Sequence, residues 1–390
     1  MSTVTLPIAY MPLVDAAPLI VAQEMGFAAS EGLQLDLIAA PSWSSVRDML
    51  AFGRVDAAHL LSPVPVAMAL GLGGVMTPVA AVSVLSVNGN AIGISRAIEA
   101  RLLAADYDFD FSDAMKAGAA LAAVIDDGIT VGVPFPFSMH SELLHYWVSA
   151  TPLRDRAIDI RTVPPPLMAE ALAAGDVDAF CVGEPWGSVA VDAGAGALFL
   201  PGSAIWGFAP EKVLATRTEW AEIEPHLLGR LVRAIWRAGR WLGNADSRTA
   251  AAALLSRPDY LGIPSELIDR ALSGHLTISA QGGQRHVDNF LEFHHGAANF
   301  PWRSQAKWIG RNLALRAGRS VHAADAAAAA VFRTDLYRTA MDTTGADLPG
   351  ASEKLEGALR HPTAVASTSG GMILHPDEFF DGRIFDPSRN

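Results

Sequence analysis

The sequence of 390 residues has a single cysteine and only four lysines. One cysteine, Cys181, excludes an intramolecular disulfide and is typical of a protein from a reducing compartment. Acidic residues outnumber basic ones by 41 to 29, which gives a formal net charge of −12. Such a surface repels nucleic acid and anionic lipid, so we expect neither as a direct partner. A chain of this charge that binds an anion must gather its few cations in one place.

The sequence also lacks an uninterrupted apolar run of the roughly 20 residues that a membrane-spanning helix needs. The most apolar stretch, about residues 57–94, is cut by prolines and glycines into pieces of strand and helix length. The first ten residues, MSTVTLPIAY, contain neither the basic and apolar regions of an export signal nor its cleavage site. We therefore expect a cytoplasmic protein that does not enter the membrane.

Motifs that carry common catalytic chemistry are missing from the sequence. There is no phosphate-binding P-loop, dinucleotide fingerprint, HExxH helix or Gly-x-Ser-x-Gly elbow. His294 and His295 are adjacent, so on a helix they would point in different directions and would share a metal ion poorly. Cys181 stands in an apolar stretch, where a free cysteine is usually inert core. The sequence therefore predicts a binding protein without cofactor or metal, and not an enzyme.

Short apolar strands alternate with helices along most of the chain. This alternation predicts an α/β fold of mostly parallel sheets with helices on both faces. One phrase occurs twice, as MLAFGRVDA at residues 49–57 and as ALAAGDVDA at residues 171–179. Each copy is typical of a helix end, a glycine cap, a turn and a buried strand, which favours two similar lobes. We predict that residues 1–92 and 208–390 form lobe 1 and that residues 93–207 form lobe 2, with a ligand cleft between them.

Polar side chains stand at predicted strand ends and helix starts. In open α/β sheets, ligands bind beyond the carboxyl ends of strands, where helix N-termini offer free N–H groups to an anion. Indole, amide, imidazole and ammonium groups all donate hydrogen bonds. A planar oxyanion only accepts them, so donors alone with one positive charge would suit it. The side chains concerned are Trp43, Asn88 with Gly89 and Asn90, His140, and Lys212.

Each of these residues also has a purely structural interpretation. Trp43 is then a core residue, Asn88 with Gly89 a turn, His140 a surface residue at a helix start, and Lys212 a solvated charge.

Phrases along nearly the whole chain resemble, in order, the nitrate-binding NrtA family of ABC-transporter solute-binding proteins. That family has the type II periplasmic-binding fold. The most specific phrases are CVGEPW at residues 181–186 and PEKV at residues 210–213. The matching residues are 18–22 with 26–27, 43–48, 56–59 with 63 and 65, 88–92, 135–136 with 138 and 140, 164–166, 181–186, 210–214, 299–301 with 308, and 380–383 with 385–387.

The resemblance implies a cleft that binds nitrate or nitrite. In the family the anion is held by a tryptophan, a Gly/Gln pair, a histidine and a lysine. A shorter side chain, Asn90, replaces the glutamine, which leaves the choice between nitrate and nitrite open. Lys212 beside an amide favours the anion of a strong acid over the bicarbonate that some relatives bind. The implied binding residues of this chain are Trp43, Gly89, Asn90, His140 and Lys212.

With no export signal, the chain is similar to the cytoplasmic NasS-type sensors of nitrate assimilation. In these the anion-free protein holds an RNA-binding antitermination regulator of the NasT type inactive, and nitrate or nitrite releases it. The alternative is the substrate-binding subunit of an ABC importer for nitrate, nitrite or bicarbonate. A third interpretation is a thiamin-pyrimidine synthase of the same fold, which would consume a histidine such as His140. The cysteine-rich motif and cofactor lysine of that enzyme are not seen.

Overall fold

A computed structural model describes residues 3–389, which form two α/β lobes. The strands are β1 (Val4–Tyr10), β2 (Leu33–Ala39), β3 (Ala57–Leu61), β4 (Val79–Asn88), β5 (Asn90–Ser95), β6 (Gly128–Val133), β7 (Ala157–Thr162), β8 (Ala179–Gly183), β9 (Gly196–Pro201), β10 (Pro210–Arg217), β11 (His275–Thr277), β12 (Gln284–His286), β13 (Leu291–Glu292), β14 (Thr363–Ala364) and β15 (Ile373–Leu374).

The helices alternate with these strands in the first half of the chain and dominate after β10. They are α1 (Ala17–Glu24), α2 (Phe27–Ser30), α3 (Trp43–Ala51), α4 (Pro63–Ala69), α5 (Arg96–Ala104), α6 (Ala114–Val124), α7 (Met139–Ser149), α8 (Met168–Ala174), α9 (Trp186–Asp192), α10 (Thr218–Ile223), α11 (Pro225–Leu242), α12 (Arg248–Leu255), α13 (Ser265–Ser273), α14 (Arg303–Arg316), α15 (Val321–Val331) and α16 (Thr334–Met341).

Lobe 1 is built on a six-stranded sheet with the order β13-β4-β10-β3-β1-β2. Strand β1 runs parallel to β2 and β3, whereas β10 runs antiparallel to its neighbours β3 and β4. All residues of β3 and β4 are buried, as expected for strands covered by helices on both faces.

Lobe 2 repeats this plan in a five-stranded sheet with the order β7-β6-β8-β5-β9. Strand β6 runs parallel to β7 and β8, and β5 runs antiparallel to β8 and β9. This antiparallel strand is β10 in lobe 1 and β5 in lobe 2. Each is the first strand after the chain crosses from the other lobe. The predicted two-lobed α/β architecture is confirmed. The prediction of mostly parallel sheets is wrong, because β10 and β5 run antiparallel to both of their neighbours and make both sheets mixed.

The two copies of the repeated phrase occupy equivalent places in the two lobes. Gly53 (φ 72°) and Gly175 (φ 77°) follow the ends of α3 and α8 and turn the chain with positive φ angles. The strands that come next, β3 and β8, each lie between one parallel and one antiparallel neighbour. The repeat in the sequence therefore corresponds to a repeat in the structure.

The chain crosses from lobe 1 to lobe 2 at a sharp turn. Asn88, with a φ of 59°, ends β4, and Gly89, with a φ of 89°, precedes β5 in the other sheet. The predicted boundary after residue 92 thus falls inside β5, because no connecting segment separates the two strands. The return crossing is the segment 202–209, which contains the predicted boundary after residue 207.

One part of the C-terminal region, predicted as wholly lobe 1, packs against lobe 2. The Leu198 N–H of β9 donates a hydrogen bond to the Ile278 carbonyl at 2.7 Å. The Arg285 side chain of β12 donates to the Phe109 carbonyl, also at 2.7 Å. The segment that contains α13, β11 and β12 therefore belongs to the surface of lobe 2.

The two lobes touch along the cleft. The Val14 N–H of lobe 1 donates to the Glu184 carbonyl of lobe 2 at 2.9 Å, and Trp186 Nε1 donates to the Pro12 carbonyl at 3.1 Å.

Within residues 3–389, no helix is both long enough and apolar enough to cross a membrane.

Serine caps place two predicted binding residues at helix starts. Ser42 precedes α3, and its side chain accepts from the N–H three residues on at 3.2 Å. Ser138 caps α7 in the same way at 3.1 Å. Such caps fix where a helix begins, so Trp43 and His140 both lie in first turns.

Replacing Gly89 with alanine is expected to lower the free energy of unfolding by about 1–3 kcal/mol. The residue has a φ of 89°, and a Cβ there would lie 2.6 Å from Leu291 Cδ1. Urea denaturation followed by circular dichroism measures the loss. Gly26→Ala is the matched control, since its φ is 77° but nothing lies within 4 Å of the added Cβ. Equal losses in the two variants would show that the contact with Leu291 adds nothing.

Candidate functional site in the cleft between the lobes

The structure brings four of the five predicted binding residues into one buried cluster. Trp43 and Lys212 come from lobe 1, on α3 and β10, whereas Asn90 and His140 come from lobe 2, on β5 and α7. Each of the four is at most 1% exposed. The cluster therefore lies where the two lobes meet, and a ligand there would contact both.

The ammonium group of Lys212 is at the centre of this cluster. Its Nζ lies 2.7 Å from Asp15 Oδ2 and 2.8 Å from Glu211 Oε1. It also lies 5.4 Å from the centroid of the Trp43 ring, within the range of a cation–π interaction. Burial alone would lower the pKa of Lys212, but the two carboxylates outweigh it and raise that pKa. The ammonium is therefore charged.

The carboxylate of Glu211 connects the lobes. Asn90 Nδ2 donates a hydrogen bond to Glu211 Oε2 at 2.6 Å. His140 Nδ1 lies 3.2 Å from Oε1, but the alignment of the two groups makes no hydrogen bond. Burial raises the pKa of Glu211 against the opposing attraction of Lys212. Glu211 thus holds two donors of the predicted site, Lys212 and Asn90, on its own oxygens.

Asp15 and His59 lie on the far side of Lys212. The Met11 N–H donates to His59 Nδ1 at 3.5 Å, so the neutral ring carries its proton on Nε2, which lies 3.1 Å from Asp15 Oδ1. Burial would raise the pKa of Asp15, but Lys212 and His59 outweigh it and hold that pKa well below its usual range. Burial lowers the pKa of His59. Asp15 is therefore a fixed negative charge beside a neutral histidine.

These carboxylates correct the prediction that the site contains hydrogen-bond donors alone. Asp15 and Glu211 are acceptors, and both contact the one ammonium group of the cluster. With both carboxylates ionised, the cluster carries one negative charge in excess. The positive charge predicted for the anion is already compensated inside the protein.

Trp43 and His140 nevertheless have N–H groups that make no hydrogen bond within the described residues. Among residues 3–389, neither Trp43 Nε1 nor either ring nitrogen of His140 has a hydrogen-bond partner. Burial, with a further effect of Lys212, lowers the pKa of His140 well below its usual range, so its ring is neutral with one N–H. Leaving buried donors unpaired is costly, so these groups indicate where a small acceptor would bind.

Gly183, at the end of β8, lines the same place. A Cβ at this position would lie 3.6 Å from both His140 Nε2 and Asp15 Oδ2, and 2.9 Å from Leu13 Cδ2. The absent side chain therefore lets Leu13 of lobe 1 approach the end of β8 closely, beside His140.

Gly89 is the predicted binding residue that lies outside these side-chain contacts. Its carbonyl accepts the N–H of Glu184 at 3.1 Å, and the space of an added Cβ is taken by Leu291. What the structure assigns to Gly89 is the turn between β4 and β5. Beside it, Asn90 turns its amide towards Glu211, and its Oδ1 would lie 1.9 Å from a Cβ on Gly202.

Sequence reasoning gave no role to Asp15, His59, Gly183, Glu184 or Glu211. Four of them stand inside the phrases shared with the resembling family, so part of the signal was present. Asp15 precedes the first shared phrase, at residues 18–22, and carried no signal of its own. A pattern of donors to an anion does not indicate the acceptors that hold those donors.

A second cluster, built from lobe 1 alone, has the same composition. Lys354 Nζ lies 5.9 Å from the centroid of the Trp302 ring and 2.6 Å from Glu356 Oε2, and it also contacts Asp377. Trp302 Nε1 has no hydrogen-bond partner among residues 3–389. We call these four residues the tail cluster. Lobe 2 contributes no residue to it, so it offers a natural comparison for the cleft.

The other candidates for chemistry are accounted for by their own contacts. His294 Nδ1 lies 3.2 Å from Asn299 Oδ1, and His295 Nδ1 lies 3.3 Å from Glu292 Oε1. In the described part of the chain, no three His, Cys, Asp or Glu residues are arranged to hold a metal ion. Burial raises the pKa of Cys181 well above its usual value, so its thiol is unreactive.

Comparison with known proteins identifies the family. The model of the NMT1-like family matches residues 2–256. The chain belongs to the NMT1-like family. It is also similar in structure to the periplasmic nitrate-binding protein NrtA from Synechocystis PCC 6803, with a TM-score of 0.83 and 25% identity over 99% of this chain and 96% of that one. The predicted periplasmic-binding fold is confirmed.

Two relatives are longer proteins. The chain is 34% identical over 317 residues to the nitrate import ATP-binding protein NrtC of Synechocystis sp. PCC 6803, covering 80% of this chain and 46% of that protein. It is 33% identical over 318 residues to the bicarbonate transport ATP-binding protein CmpC of Synechococcus elongatus PCC 7942, covering 80% and 45%. The chain thus spans about half the length of these relatives.

The carboxyl group of Glu184 yields a prediction about stability and pH. Its Oε2 accepts the Ser188 N–H at 3.1 Å, and burial raises the pKa of Glu184 to about 7. The pKa in the unfolded chain is about 4.3. Between these values the folded protein binds the extra proton, so stability is full at low pH and falls as the pH rises towards 7.

Glu184→Gln removes this ionisation. We expect the variant to exceed the wild type in free energy of unfolding by about 2–4 kcal/mol at about pH 8, and to match it at about pH 4.5. Urea denaturation at both pH values measures the two differences. A difference that is the same at both values would contradict titration of Glu184 in this range.

Proposed function

We propose that this chain binds nitrate or nitrite in the cleft between its lobes, as the binding component of an import system and not as an enzyme. One observation carries the proposal. Trp43 and Lys212 of lobe 1 meet Asn90 and His140 of lobe 2 in a buried cluster that has unpaired N–H groups. The similarity to the nitrate-binding protein NrtA and to the nitrate import protein NrtC supports it.

The proposed mechanism is closure of the lobes around the anion. Trp43 Nε1 and the N–H of His140 would each donate to a nitrate oxygen, one from each lobe. A ligand that contacts both lobes stabilises their closed arrangement over an open one. Lys212 would supply the positive charge in a site where burial strengthens electrostatic attraction.

Isothermal titration with nitrate, nitrite, bicarbonate and chloride tests the proposal directly. We expect binding of nitrate or nitrite, whose several oxygens can accept hydrogen bonds from donors on the two lobes, and weaker binding of chloride, which has one acceptor atom. Binding of bicarbonate alone would contradict the proposal.

Trp43→Phe tests the indole donor. An aromatic ring remains beside Lys212, and the lost N–H has no hydrogen-bond partner among residues 3–389, so the expected loss of stability is that of a smaller buried ring. The anion, however, loses a hydrogen bond to a charged ligand, so we expect nitrate binding to weaken by about 1–3 kcal/mol. Titration calorimetry measures the change. Unchanged affinity would remove Trp43 from the anion site.

The tail cluster provides the matched control for this variant. Trp302→Phe removes an unpaired N–H from a buried indole beside a lysine, in a cluster to which lobe 2 contributes no residue. Nitrate affinity should then be unchanged. Lys212→Ala is a poorer test, because it would leave Asp15 and Glu211 buried without their cation and would confuse binding with folding.

The regulatory alternative uses the same anion site. In it, a cytoplasmic sensor would release a NasT-type RNA-binding regulator when nitrate or nitrite binds. The relatives named above are transport proteins, which favours the import role. Deletion of the gene separates the two. Loss of nitrate uptake at low external nitrate supports import, and loss of nitrate-dependent induction with normal uptake supports the sensor.

A further inference from the structure

The charges around Lys212 limit the net charge that a ligand can bring into the cleft. One ammonium group contacts two carboxylates, and burial keeps the nearby histidines neutral. An anion added to this cluster would bring a second negative charge in excess into a buried space. Such a charge is strongly unfavourable unless it is compensated.

We propose that the anion enters this site together with one proton and that Glu211 is the residue that accepts this proton. The ligand of the cleft is then an oxyanion plus a proton. This inference rests on the proposed function. Protonation of Glu211 offsets the incoming charge, so the net charge of the cluster is the same before and after binding.

Glu211 is the carboxyl group best placed to take the proton. Its side chain is fully buried, and its oxygens contact one cation and one amide. Protonation would release Lys212 from one of its two carboxylates, so that the ammonium can face the anion while Asp15 still neutralises part of its charge. The new O–H would also add a donor beside His140, 3.2 Å away.

The other titratable groups are less suited. Asp15 is held in its ionised form by Lys212 and His59. A proton on His59 Nδ1 would break the hydrogen bond from the Met11 N–H. His140 lies close enough to the Lys212 ammonium to be repelled by it when charged. The titratable groups that face Glu211 are Lys212 on β10, Asp15 after β1, His59 on β3, His140 on α7 and Cys181 on β8.

Nitrate is the appropriate probe because it is the anion of a strong acid and does not titrate near neutral pH. We expect its dissociation constant to rise by up to about tenfold per pH unit between about pH 6 and about pH 8, as uptake of one proton requires. Calorimetry in two buffers of different ionisation enthalpy should report about one proton taken up per anion bound.

Glu211→Gln keeps the shape of the side chain and removes its ionisation. The variant should bind nitrate with an affinity that does not change with pH and should take up no proton. Glu356→Gln is the matched control, since it makes the same substitution beside the lysine of the tail cluster. Glu184→Gln removes a second carboxyl group with a raised pKa beside the cleft. Both controls should keep the proton uptake of the wild type.

The possible results separate the two proposals. Absence of nitrate and nitrite binding at every pH, with or without bicarbonate binding, would overturn the proposed function. Nitrate binding to the wild type without pH dependence or proton uptake would overturn only the present inference. Persistence of proton uptake in Glu211→Gln would overturn the role of Glu211. If this variant does not fold, the proton count of the wild type still decides whether a proton enters with the anion.

Discussion

The ion pairs of the Lys212 ammonium are the contacts on which the cleft depends. A charge buried as deeply as this one must be paired, and Asp15 and Glu211 supply the pairing at 2.7 and 2.8 Å. Glu211 then extends the network to Asn90 in the other lobe, where His140 lies beside it without a hydrogen bond. The electrostatic requirement of one side chain thus fixes where the lobes meet and which of their polar groups are left to bind a ligand.

Much of the fold could be predicted from local patterns in the sequence. The repeated phrase at residues 49–57 and 171–179 indicates two lobes, because a helix end, a glycine turn and a buried strand each have a recognisable pattern in a few adjacent residues. The same is true of Trp43 and His140, whose places at helix starts depend on a few adjacent residues. The predicted boundary after residue 92 lies three residues beyond Gly89, where the chain crosses. Strands β4 and β5 are both mostly apolar, so their sequences do not show that they join different sheets.

The charges of the site could not be predicted in this way. Asp15 and Lys212 lie almost two hundred positions apart, and nothing near Asp15 indicates its partner. Composition is no guide either, because the tail cluster places the same four kinds of side chain together without a cleft. What distinguishes the two clusters is that residues of lobe 2 take part in one of them. That property belongs to the topology of the whole chain and not to any short segment of it.

The same topology determines the order in which the molecule is completed during synthesis. Strand β10 fills the gap between β3 and β4, yet it is made only after all five strands of the lobe 2 sheet. The sheet of lobe 1 therefore remains open in its middle while the strands of lobe 2, an unbroken run from β5 to β9, already have all their partners. Although domains made first generally fold first, here the lobe that begins the chain must wait for the lobe inserted into it. Glu211 and Lys212 of this strand also complete the cleft, so the binding site cannot form before β10 has joined the first sheet.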